Sequence, residues 1–141
     1  ETEVARARKV LVLPPKEREA ILGWHRKASS YASKTLQFAA PDAPRTEKVI
    51  VQAIRIGDQA IVSMPFEVLV EIGLEIKDKS PFQRTFLIEL ANGGYGYLPP
   101  PHQHELGGYE TWLGTSRFIP NASTLLTRNL LEMLKELKAA D

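Results

Sequence analysis

Residues 49–64 read VIVQAIRIGDQAIVSM, and this segment carries the strongest indication of the fold. Two apolar runs rich in β-branched residues flank Gly57-Asp58, and a Gly-X pair of this kind suits a two-residue turn of the primed type. The pattern therefore predicts a β-hairpin, with one strand over residues 49–56 and the second over residues 59–64.

Two more strands are predicted, one before the hairpin and one after it. Residues 84–91 (RTFLIELA) have a strong strand pattern, and residues 9–13 (KVLVL) form a short apolar run typical of a buried strand. Pro14 and Pro15 end this shorter run, because proline cannot donate a hydrogen bond to a sheet.

Three helices are predicted between and after these strands. The first begins at Pro15, a residue type that suits the first helical position, the second begins at Pro65, and the third follows Pro120. Apolar residues recur at helical spacing in each segment and predict one buried face per helix. Their predicted apolar positions are Ala20, Ile21, Trp24, Ala28 and Tyr31, then Val68, Leu69, Ile72 and Ile76, then Leu126, Leu130, Met133, Leu134 and Leu137.

The order of these elements predicts an α/β or α+β domain with a mixed β-sheet, a central hairpin and flanking helices. We expect a single domain over residues 1–141. Residues 92–119 form a long loop rich in Gly, Tyr and Pro before the C-terminal helix, with little periodicity. Loops of about this length without structure usually carry function.

Composition narrows the function classes. Hydrophobic residues make up 43% and charged residues 25%, which is typical of a globular domain, and the formal net charge of +1 argues against a nucleic-acid partner. No apolar run approaches the 18 or more residues of a transmembrane helix. Cysteine is absent, which excludes thiolate metal ligands and a cysteine nucleophile.

Glu67 is the first candidate for chemistry, because it follows a predicted strand, and ligands usually lie at such strand ends in α/β sheets. A carboxylate in the first turn of the next helix would point into that region and is able to ligate a metal. The alternative interpretation is that Glu67 only interacts with the positive end of the helix dipole.

Tyr95, Tyr97 and Tyr109 lie among glycines, so the loop is able to wrap closely around a ligand. A phenol either donates to a developing oxyanion or binds a metal as phenolate. The alternative is aromatic packing with a solvated hydroxyl group. His102 and His104 have a zinc-binding spacing only if they lie on a strand, and a solvated loop is the competing interpretation.

Two blocks of the sequence resemble the neutral/alkaline ceramidases. Residues 58–67 (DQAIVSMPFE), followed by Gly73, look like that family's G-D … P-x-E … G stretch. Residues 91–97 (ANGGYGY), followed by GYE at residues 108–110, resemble its A-N … Y-V-T … Y-E-G segment, with LPPP at residues 98–101 after Tyr97 and Thr111 in place of the glycine. The resemblance extends loosely from about residue 5 to residue 138.

The resemblance implies a zinc-dependent amidase that splits an N-acyl bond. Glu67 and Tyr97 would be zinc ligands, and Tyr109 would be the tyrosine that helps to polarise the scissile carbonyl. Two histidine ligands would lie upstream, outside this chain. The chain would then be the C-terminal portion of a larger catalytic domain, and we expect it to bind zinc poorly and to be inactive alone.

The implied partners are a ceramide-like lipid or another small-molecule amide as substrate, and the N-terminal part of the parent chain. The compartment is left open, and a secreted or periplasmic parent is compatible with the sequence. A non-catalytic binding domain that uses the loop between Tyr95 and Tyr109 is the alternative function. A relative of the enzyme that has lost its metal is a third option.

Overall fold

The computed structural model describes residues 2–18 and 27–140. It contains helices on one side of a small mixed sheet, together with a second, two-stranded sheet. The helices are α1 (Glu3–Val12), α2 (Pro15–Arg18), α3 (Ala28–Phe38), α4 (Val70–Lys79), α5 (Pro101–Leu106) and α6 (Ala122–Ala139), with a 3₁₀ turn at Tyr109–Thr111. The strands are β1 (Gln52–Ile56), β2 (Gln59–Ser63), β3 (Glu67–Val68), β4 (Arg84–Ile88) and β5 (Tyr97–Leu98).

The predicted hairpin is confirmed. Strands β1 and β2 pair antiparallel, with Gln52 opposite Ser63 and Ile56 opposite Gln59. Gly57 has a φ of +61°, a conformation that a residue with a side chain adopts only with strain, which explains the glycine at this turn. Strand β1 begins three residues later than the pattern predicts.

The mixed sheet is also confirmed, in the order β1-β2-β4. Helix α4 connects β2 to β4, which pair in parallel, since parallel neighbours need a crossover rather than a tight turn. Helices α4 and α6 pack on one face of the sheet and enclose the main core. Its fully buried members include Val62, Met64, Phe66, Ile72, Ile76, Leu98, Leu130 and Leu134.

Residues 9–13 are not a strand, so that prediction was wrong. Residues 9–12 belong to α1, and Leu13 follows its last residue. The first turn of α1 is capped by the Thr2 hydroxyl, which accepts a hydrogen bond from the Ala5 N–H at 3.2 Å. Ala7 and Val10 share one face of α1 and are buried against α3. An apolar run this short is compatible with either a strand or a helix, and in the folded chain its packing against a second helix favours the helix.

The helix predicted from Pro15 is confirmed only over its first turn, which is the four-residue helix α2. Tyr31 and Ala28 are buried as predicted, but they belong to the separate helix α3. The remaining members of that predicted stripe, Ala20, Ile21 and Trp24, lie outside the described residues, as does His25.

The helix predicted from Pro65 begins later, at Val70. Glu67 therefore lies on the short strand β3 and not in a first helical turn, which corrects the prediction. Its N–H donates to the Gly96 carbonyl at 3.0 Å, a non-local bond that draws the segment into a second sheet. Ile72 and Ile76 form the buried face of α4, as the spacing predicts.

The long loop contains more structure than its sequence indicates. Strand β5, helix α5 and the 3₁₀ turn all lie between β4 and α6. Helix α6 follows the prediction closely, with Leu130 and Leu134 fully buried and Leu126, Met133 and Leu137 packed beside them. None of the described helices has the length and apolarity needed to cross a membrane.

Candidate functional site

Glu67, Tyr97 and Tyr109, the three predicted site residues, line one cavity. It has a volume of about 230 Å³ and lies between α3 on one side and the β3-β5 sheet on the other. The three residues belong to β3, β5 and the 3₁₀ turn, so only the tertiary fold brings them together. Their roles remain predictions.

Strands β3 and β5 position the first two of these side chains. The strands pair in parallel, with Glu67 directly opposite Tyr97 in the register. The Tyr97 N–H donates in turn to the Thr115 carbonyl at 3.0 Å, which ties β5 to the loop after the 3₁₀ turn. Residues opposite one another on neighbouring strands present their side chains on the same face, so Glu67 and Tyr97 are neighbours there.

Gly96 allows this arrangement, because its backbone approaches the neighbouring loop very closely. A Cβ atom at this position would lie 2.2 Å from the Thr115 carbonyl oxygen. The φ of Gly96 is +88°, which also disfavours any residue with a side chain. The close contact and the positive φ together require glycine beside Tyr97.

Tyr97 and Glu67 are joined by a hydrogen bond inside the cavity. The Tyr97 hydroxyl donates a hydrogen bond to the Glu67 carboxylate, and this bond, with partial burial and the carboxylate's charge, raises the pKa of Tyr97 to about 12. Tyr97 is therefore a neutral phenol at physiological pH in this chain. A carboxylate and a phenol lie side by side, both with oxygen atoms that are able to bind a cation.

Tyr109 is held by Tyr31, which the sequence pattern predicted to be buried but did not identify as part of the site. Its hydroxyl lies 2.9 Å from the Tyr31 hydroxyl of α3, and the two rings meet edge to face with centroids 5.5 Å apart. This hydrogen bond, followed by partial burial, raises the pKa of Tyr109. The Tyr97 and Trp112 rings pack against Tyr109 at 5.4 Å and 5.6 Å, so the phenol has a fixed orientation.

Among solved structures, the chain is similar to a ceramidase in complex with C2. The two align with a TM-score of 0.60 and 19% sequence identity. The fold is ceramidase-like. The alignment covers 70% of this chain but 16% of the ceramidase chain, so the chain spans a small part of that protein's length. No family model matches the chain, and no curated protein does.

Three other candidate residues, His102, His104 and Tyr95, do not line the cavity. His102 and His104 lie on the short helix α5, where residues two apart point in different directions. Burial lowers the pKa of His104. Tyr95 packs into the core against Phe66 and Phe118, with ring centroids 5.9 Å and 6.4 Å away, so the three loop tyrosines do not share one surface.

Helix α3 contributes a wall of the cavity that sequence reasoning missed. Lys27, Ser30, Tyr31 and Lys34 lie along one side of this helix and line the cavity. The two lysines are exposed at its rim. The sequence did predict Tyr31 as a buried helical residue, but its hydroxyl partner lies 78 positions away, and no local pattern reports such a contact.

Proposed function

We propose that this chain is the C-terminal portion of the catalytic domain of a ceramidase-like hydrolase that cleaves an N-acyl amide. One observation carries the proposal: Glu67, Tyr97 and Tyr109 line the same cavity. Those are the residues to which the family resemblance assigns zinc binding and catalysis. The ceramidase-like fold supports the proposal, although a fold alone does not determine a function.

The side chains present fit part of a zinc site. Glu67 supplies a carboxylate and Tyr97 a phenol, which are already in hydrogen-bond contact. Two protein ligands are fewer than a catalytic zinc takes, and residues 2–18 and 27–140 contain no cluster of three or more His, Cys, Asp or Glu side chains that would hold a metal. We infer that Glu67 and Tyr97 are two ligands and that histidines of the parent protein complete the set.

The residues of this chain would divide the remaining work. Tyr109 keeps its proton at physiological pH, since its pKa is raised, and it is held in a fixed orientation beside Tyr97. Its O–H would donate a hydrogen bond to the oxyanion that develops on the scissile amide carbonyl. Zinc, when bound, would supply a water of lowered pKa and polarise the same carbonyl. The substrate would be a ceramide-like lipid or another amide.

The test uses the longer gene product that contains this chain. We expect elemental mass spectrometry to find about one zinc per chain, as in a mononuclear catalytic site. Glu67→Ala should lose this zinc, whereas Glu71→Ala, an exposed glutamate on α4, should retain it. Absence of metal from the folded, unmodified product would overturn the proposal.

Tyr109→Phe separates the catalytic role from metal binding. We expect this variant to retain its zinc while kcat for an N-acyl amide falls by roughly 10²–10³, the usual effect of removing one oxyanion donor. Loss of the metal in Tyr109→Phe would contradict the assignment. The 141-residue chain alone should bind zinc weakly and hydrolyse nothing, because the proposal places the remaining ligands in the rest of the parent protein.

A further inference from the structure

One face of the β1-β2-β4 sheet is apolar and uncovered. Helices α4 and α6 pack on the opposite face, where Ala60, Val62 and Thr85 are buried. On the uncovered face, Ile54 of β1 is 48% exposed and Phe86 of β4 is 45% exposed. A solvated sheet face normally carries polar side chains, and Gln52, Gln59, Ser63 and Arg84 do lie on this face, but the row between them is apolar on all three strands.

The apolar residues form a continuous row across all three strands. Ile54 is opposite Ile61 of β2, and Ile61 is opposite Phe86. Ile56 and Ile88 lie on the same face and are also exposed, at 61% and 43%. Since β2 and β4 are parallel, and parallel sheets are almost always covered on both faces, the row is expected to be buried in the working protein.

Strand β4 also has an open edge. No strand of the described ranges pairs with its outer side, so backbone N–H and C=O groups are free to bind a further strand. A groove of about 230 Å³ runs beside β4. Its lining includes Lys77 and Glu89 as well as the apolar side chains of Val70 and Leu74 on α4, which are 70% and 57% exposed. The edge is therefore flanked by apolar side chains on the helix layer as well.

We propose that the remainder of a longer ceramidase-like polypeptide covers this surface, adding a strand to the edge of β4 and a layer over the row that contains Ile54 and Phe86. The inference rests on the proposed function. A second copy of this chain fits less well, because one two-fold contact covers only half of the surface. If the two copies pair through their β4 edges, the apolar row of each copy stays exposed. If they pack through their sheet faces, the β4 edge of each copy stays unpaired. The ceramidase that the chain resembles is far longer, with 84% of it outside the alignment, since 16% is covered.

The absence of cysteine from this chain makes the surface testable by labelling. Ile54→Cys and Phe86→Cys place a thiol on the face, and Ile119→Cys is the matched control, because Ile119 is 61% exposed outside the sheet. Maleimide labelling is followed at each site by mass spectrometry, in the 141-residue chain and in the longer gene product. Near-ultraviolet circular dichroism checks that each variant is folded.

We expect both face cysteines to react about as fast as the control in the 141-residue chain. In the longer product their rates, relative to the control, should fall at least roughly tenfold, because a covered side chain reacts only after local opening. Unchanged relative rates would overturn the inference. Protection in the 141-residue chain itself, with a dimer mass by light scattering, would overturn it in favour of self-association.

The outcome is distinguishable from that of the proposed function. If the longer gene product binds zinc but its Ile54→Cys variant still reacts with maleimide, only the inference about the covered surface is refuted. A product that protects this position but binds no metal would refute the zinc assignment and support the surface. Labelling is read without any activity measurement, so neither result depends on identifying the substrate.

Discussion

A hydrogen bond between two tyrosine hydroxyls joins α3 to the turn that carries Tyr109. A partly buried bond of this kind contributes about 0.5–1.5 kcal/mol to stability. We expect Tyr31→Phe and Tyr109→Phe each to lower the free energy of unfolding by about 1 kcal/mol, and the double variant to lower it by no more than either single one. Urea denaturation of the 141-residue chain measures all three. Additive losses would show that the two hydroxyls are not coupled.

Gly96 provides a second prediction at the residue scale. Gly96→Ala would place a methyl group against the Thr115 carbonyl oxygen at a positive φ, so we expect it to destabilise the chain by more than about 2 kcal/mol. Gly57→Ala has a comparable φ but meets nothing within 4 Å, and should cost only about 1–2 kcal/mol. Equal losses in thermal denaturation would mean that the contact with Thr115 is unimportant.

Individual residues of the site differ in how far the sequence predicted them. Glu67, Tyr97 and Tyr109 were chosen from a family resemblance and from their neighbours, and the fold places them around one cavity. Tyr31 could not be chosen, because its spacing indicates burial and says nothing about where its hydroxyl points. A contact between distant segments leaves no periodic signal in the sequence.

Among the elements, α5 has a specific dependence on pH. Burial lowers the pKa of His104 below the ordinary value of about 6.5, so the unfolded chain binds this proton more readily than the folded chain. The stability that depends on neutral His104 is therefore complete above about pH 6.5 and declines as the pH falls towards the folded pKa.

Substitution of His104 tests this dependence. We expect His104→Gln to lose less stability than the unmodified chain between about pH 7.5 and about pH 5, because it has no imidazole to protonate. His102→Gln, on the exposed side of the same helix, is the matched control. Urea midpoints at both pH values provide the comparison, and identical slopes for all three proteins would refute the prediction.

Short elements were the ones that the sequence predicted wrongly. Residues 9–13 fit either a strand or one face of a helix, and burial of Ala7 and Val10 against α3 selects the helix. Strand β3 contains two residues and exists because its backbone bonds to Gly96. By contrast, the apolar pattern of α6 is long enough to exclude a strand, and the pattern of the β1-β2 hairpin is long enough to exclude a helix.

At the scale of the whole molecule, the described residues form two cores of unequal size. A small cluster of Ala7, Val10, Ala28 and Ala32 joins α1 to α3, and the main cluster lies between the β1-β2-β4 sheet and α6. Alanine buries little apolar area, so the small cluster contributes little hydrophobic stabilisation. A hydrogen bond outside this small cluster also holds α1 in place, since the Leu113 N–H donates to the Glu3 carboxylate at 2.6 Å.

This inequality predicts stepwise opening. We expect the amide protons of α1 and α3 to exchange at lower denaturant concentration than those of β2 and α6, since the smaller cluster opens first. Native-state hydrogen exchange of the 141-residue chain, read by NMR, provides the measurement. Equal protection across both clusters would show that the molecule unfolds as a single cooperative unit.

Local periodicity and turn residues were enough to predict the hairpin, the third strand, the buried faces of α4 and α6 and the mixed α/β class. Three features could be read only from the folded chain: residues 9–12 are helical, β3 pairs with β5, and α3 forms a wall of the cavity. These features depend on contacts between segments far apart in the chain, and such contacts are set by packing and backbone hydrogen bonding across the whole domain rather than by any local pattern.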